Sequence, residues 1–131
     1  MTNKNSEVSK SKVIPLYASN GDAEVFLRYP YLYNRLGEWV GWVTPDYEVY
    51  SVLGVYVGYF SKDQRILSKR HLIGSKPRLQ PPPNPLKFRP PAYTPLAPLF
   101  YELMIGTTDV LLEEPERLHT IDTGELKPDL D

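Results

Sequence analysis

The chain has 131 residues, a formal net charge of −1, 41% apolar residues and no cysteine. That is enough length and hydrophobicity for one folded domain with tails, and it excludes disulfides, thiol catalysis and thiolate metal sites. No apolar run approaches the ~18 residues of a membrane span, and the N-terminal stretch lacks the apolar core of a secretory signal. A cytoplasmic protein is the expectation.

In chain order, residues 1–12 are polar and lysine-rich and are expected to be a disordered tail. Residues 13–75 carry the strand signals. The runs "VIPLY", "YLY", "EVY" and "RIL" are β-branched or aromatic and too short for helices. A unit then recurs at a step of 16 or 17 residues: Tyr17–Gly21–Phe26, Tyr33–Gly37–Trp42 and Tyr50–Gly54–Tyr59. Repetition at a fixed step points to one supersecondary unit used several times. Gly21, Gly37 and Gly54 are expected in turns, with Asn20-Gly21 suiting a type I′ turn. Gly41 and Gly58 are expected to let the returning strand bend. Simple alternation places Trp39 with Gly41, and Tyr56 with Gly58, on one face; Val40 with Trp42, and Val57 with Tyr59, take the other. A degenerate fourth copy starts at Leu67, with His71 where Gly should stand. One hairpin is not stable alone, so the fold expected is all-β, a small antiparallel barrel or meander of pseudo-repeated hairpins.

Residues 76–98 hold nine of the fourteen prolines and read as an extended polyproline II arm. The arm either packs across an aromatic face of the barrel or serves as a spacer. Residues 99–131 form an acidic C-terminal segment with nine carboxylates against Arg117 and Lys127. Short helices are expected over "LAPLFYELMI", stopped by Gly106, and from Thr108 or Asp109 to Pro115. Val110, Leu111 and Leu112 either dock on the barrel or form a linear motif for a partner, the partner being preferred.

The unit in "YNRLGEWVGWV" and "YSVLGVYVGYF", the "RIL" ahead of a basic run and the proline-rich stretch resemble the four-fold β-flower proteins over residues 14–98. The resemblance implies a small antiparallel barrel of pseudo-four-fold hairpin repeats and implies no catalytic or cofactor residues. Two departures stand out: Glu24-Val25 replaces Val-Gly in the first copy, and the fourth copy lacks its Gly.

No nucleotide-binding, nucleophile-elbow or zincin motif occurs. His71 sits among Lys69 and Arg70, and His119 near Glu116 and Asp122; both read as structural or solvated side chains. No catalytic set, cofactor or metal is expected. Residues 62–89 carry eight Lys or Arg against Asp63, a run suited to pairing with the acidic end or to phosphates. The candidate interaction surface is therefore aromatic and basic: Trp39, Tyr56, Lys69, Arg70, Arg78, Lys87 and Arg89. The expected function is a non-catalytic protein-interaction or scaffold module with a protein partner. The alternative is nucleic-acid or small-ligand binding on the aromatic–basic surface. No membrane association is expected, and the sequence does not set the oligomeric state.

Overall fold

A computed structural model describes residues 12–121. The tail read over 1–12 lies outside this range but for Lys12, as do residues 122–131 of the acidic segment. Eight antiparallel strands follow one another in a single curled sheet ordered β1 to β8. They are β1 (Ile14–Tyr17), β2 (Ala23–Arg28), β3 (Tyr31–Asn34), β4 (Trp39–Val43), β5 (Glu48–Ser51), β6 (Tyr56–Phe60), β7 (Ile66–Lys69) and β8 (Thr107–Asp109). One short helix, α1 (Val110–Glu113), follows β8. The fold is thus an all-β, half-barrel meander of hairpins.

Five of the connections share one geometry. In the turn after β1, the Gly21 N–H donates to the Ala18 carbonyl and the Ala18 N–H to the Asp22 carbonyl. The same pair of bonds recurs at 34–38, 44–48, 51–55 and 61–65. This is a three-residue loop, a type I turn followed by one left-handed residue. That residue is Gly21, Gly37, Tyr47, Gly54 or Gln64, each at positive φ. The type I′ turn expected at Asn20-Gly21 is corrected here, because only the Gly takes positive φ. The turns at Tyr47 and Gln64 were not foreseen, although Pro45-Asp46 is a turn signal of the right kind.

The repeated unit is a bulged hairpin. The register slips between Leu16 and Tyr17, between Leu32 and Tyr33, and between Val49 and Tyr50. Tyr17 pairs with Ala23, Tyr33 with Trp39 and Tyr50 with Tyr56, so Glu24, Val40 and Val57 are the extra residues. A bulge of this kind puts two successive residues toward one face. Val40 joins the core cluster, and a Cβ on Gly41 would meet Leu118 and Leu32 of that same cluster. The simple alternation expected from sequence is therefore corrected: Val40 and Gly41 both turn inward, while Trp39 and Trp42 turn outward.

Each of the first seven strands sends aliphatic residues into the curl, where Leu16, Leu27, Leu32, Val49 and Ile66 are sealed from solvent. Val110, Leu111 and Leu118 complete that core. Val110 and Leu111 thus dock inside the fold, against the preference for a partner, while Leu112 stays exposed. The fourth hairpin is also not local. β7 pairs with β8, and Lys69 faces Thr107 across a loop of residues 70–106. The sheet thus continues past residue 75. The curl is tied across its ends by side chains and turns: the Tyr17 N–H donates to the Gln64 carbonyl, and Asp109 accepts from the Ser19 N–H and hydroxyl.

Candidate interaction surface

The second face of the sheet is aromatic, and the loop 70–106 lies over it. Trp42 stacks on Tyr50 at 5.1 Å and Tyr50 meets Tyr56 edge-on at 5.6 Å. Trp39 and Leu72 pack on this trio. The indole N–H of Trp39 donates to the Gly41 carbonyl and that of Trp42 to the Ser51 carbonyl. Both indole N–H groups are satisfied and Trp42, Tyr50 and Tyr56 are buried, so these rings act as a platform.

Beside that platform the loop is fastened to the sheet through backbone groups and one ring. The Leu79 N–H donates to the Gly54 carbonyl at 3.0 Å. The Tyr31 hydroxyl donates to the Pro83 carbonyl at 2.6 Å and the Tyr17 hydroxyl to the Pro95 carbonyl at 2.7 Å. Phe88 stacks on Tyr33 with centroids 4.4 Å apart and also leans on Phe26. Proline removes donors but leaves carbonyls, so tyrosine hydroxyls are the natural fasteners. Burial pushes the Tyr17 phenol above its ordinary range, which keeps it a protonated donor, and it raises the Tyr33 phenol beneath Phe88 in the same way.

The loop's far end is held by a buried ion pair. Arg65 and Asp63 are nearly sealed, 2.7 Å apart. Arg65 also donates to the Tyr101 carbonyl, Asp63 accepts the Tyr101 N–H, and the Arg65 guanidinium lies over Phe100 at 4.6 Å. Burial alone would raise the Asp63 carboxyl, but hydrogen bonds from Arg65, Ser61 and Tyr101 outweigh it and hold the group below the ordinary carboxylate range. These bonds, with Pro98, keep 96–104 free of helix, and Ile105 and Gly106 form a turn, which corrects the helix expected there.

The residues foreseen as an interaction surface do not form one patch. Tyr56 and Lys69 share a cleft of about 510 Å³ with Tyr59, Leu72, Lys76 and Glu48. Lys69 lies over Tyr59, and Lys76 is ion-paired to Glu48, whose carboxylate holds the ammonium above its usual range. Trp39 packs nearby on the aromatic layer. Arg70 donates its N–H to the Gly106 carbonyl, where the loop closes. Arg78 reaches toward the Leu53 carbonyl at hairpin β5–β6. Lys87 and Arg89 flank Phe88 beside the Gly37 turn. Among the turn and bend positions, Gly37 and Gly54 lie under the loop backbone, Gly21 is open, and Gly41 and Gly58 face tight walls.

The surface that sequence reasoning missed is apolar. Tyr93, Leu96 and Leu99 are 90%, 95% and 96% exposed, and Tyr101, Met104 and Ile105 stand out beside them. The signal was available: residues 90–101 carry no charge, and Tyr93, Leu96 and Leu99 recur every third residue around Pro95 and Pro98. A period of three is that of an extended proline-rich chain. Among the described residues, no cluster of three or more His, Asp or Glu is placed to hold a metal ion, and no helix is long and apolar enough to cross a membrane. Comparison with protein-family models, with curated proteins and with solved structures finds no match to the chain.

Proposed function

We propose that the chain is a non-catalytic protein-interaction module. The curled sheet is its rigid base, and the loop 70–106 presents an apolar edge to a protein partner. One observation carries this reading: Tyr93, Leu96 and Leu99 project almost fully into solvent from a segment whose other side is fastened down. Soluble chains seldom expose contiguous apolar patches of this kind unless something covers them. Holding the segment extended beforehand lowers the ordering cost of binding, as in the recognition of proline-rich segments generally. Nucleic-acid binding has less support, because Arg65 is buried, Lys76 is paired with Glu48, and the exposed Lys69, Arg78 and Lys87 stand at separate places rather than in one basic patch. Membership of the four-fold β-flower proteins is part of the same proposal and rests on the repeated sequence unit.

The test is capture from a lysate of the native cells on immobilised full-length chain and on its Leu99→Asp variant. Proteins held by the first and lost from the second support the reading. Identical retention by both, or none by either, overturns it.

A further inference from the structure

We infer that the loop edge is covered by a second copy of this chain, arranged about a two-fold axis. This rests on the reading of that edge as an interaction surface. Directly beside the edge runs a cleft of about 620 Å³ between β1, the 61–65 turn and the loop. Ile14, Pro15 and Phe60 form its apolar wall, while Tyr93 and Pro95 belong both to the cleft and to the edge. A two-fold interface uses one patch on both copies and must be self-complementary. A ridge lying next to a groove meets that condition, since the Leu96–Leu99 ridge of each copy faces the groove of the other.

Charge and area agree with this occupant. The cleft is rimmed by Lys12 and Lys62, and the first charge after the neutral stretch of the ridge is the exposed Glu102. Two-fold pairing sets Glu102 of one copy against Lys62 of the other and leaves an apolar centre inside a polar rim. Tyr93, Leu96, Leu99, Tyr101, Met104 and Ile105 are exposed along this edge; at ~100 Å² of apolar area each they offer about 600 Å², the larger part of the ~800 Å² per partner of a standard interface. Strand-to-strand association through β1 is blocked, because Pro15 offers no N–H at that edge. The contact is therefore made by side chains.

Sedimentation equilibrium of the full chain, over a concentration series reaching the millimolar range, tests this. A dimer is expected, and Leu96→Asp and Leu99→Asp should each weaken it by about 30-fold or more. Both should leave circular dichroism unchanged, and melting unchanged at dilutions where the chain is monomeric, since the side chains are exposed in the single copy. Lys62→Glu should weaken the dimer, and adding Glu102→Lys should restore it. A wild type that stays monomeric overturns self-association; if capture still depends on Leu99, the interaction reading survives. A dimer indifferent to both Asp substitutions overturns this surface, and failure of the charge exchange overturns the two-fold arrangement.

Discussion

The carbonyl oxygen of Phe88 lies 2.1 Å from the point that a Cβ on Gly37 would occupy. The Leu79 carbonyl stands in the same relation to Gly54, also at 2.1 Å. The turn glycines of the second and third hairpins are thus also the places where the loop backbone crosses the sheet. Gly21 makes the same turn with nothing within 4 Å. Alanine at Gly21 should cost only the left-handed strain, about 1–2 kcal/mol. Alanine at Gly37 or Gly54 should cost about 1–3 kcal/mol more, because the loop backbone must move. Urea denaturation of the three variants checks the difference, and equal losses would contradict it.

Arg65 is the cation of a buried pair that also fastens Tyr101. Removing it strands Asp63 in the interior, a loss of about 3–5 kcal/mol for broken buried pairs. Arg65→Met should therefore destabilise the fold strongly. Hydrogen exchange at the Tyr101 amide, which Asp63 accepts, should accelerate more than exchange at Leu79.

Acid should act through the same pair. The Asp63 carboxyl is held below its ordinary value of 3.8. A depressed carboxyl adds stability above the unfolded-state value, and that contribution is lost as pH falls through the lower folded value. The expected loss therefore lies below pH 3.8. Melting temperature followed into that range should fall less steeply for Asp63→Asn than for the wild type, from a lower starting point.

Truncation after Gly106 removes β8 together with Val110, Leu111 and Leu118. Each buried aliphatic side chain contributes roughly 1.5–3 kcal/mol, against a typical net stability of about 5–15 kcal/mol. The shortened chain should show no cooperative thermal transition by circular dichroism. The same result is expected for residues 13–75 alone.

The first three hairpins were legible because Tyr, Gly and the following aromatic recur at a steady step. Their inward and outward faces were not, because one bulge residue per hairpin breaks the alternation that a sequence pattern assumes. The fourth hairpin was hidden more deeply. Its returning strand, Thr107-Thr108-Asp109, has no alternation of its own and stands a whole loop away from Lys69. Proline composition announced an extended arm, yet the points where it lands depend on carbonyls meeting Tyr17, Tyr31 and the turn glycines, contacts with no local signature. The apolar edge was readable in principle from the spacing of Tyr93, Leu96 and Leu99. Which side of that segment faces solvent is set by the contacts of Pro95 with Tyr17 and of Phe100 with Arg65, partners far away in the chain.

Whether residues 70–106 are a strap fixed on the sheet, as a presented edge requires, is read most directly by trypsin digestion of the native protein. The Arg78–Leu79 and Lys87–Phe88 bonds are the informative ones, since Leu79 is bonded to Gly54 and Phe88 is stacked on Tyr33. Both should be cut no faster than the sheet unfolds. Prompt cleavage at either bond, while the aromatic platform keeps its native fluorescence, would contradict the strap.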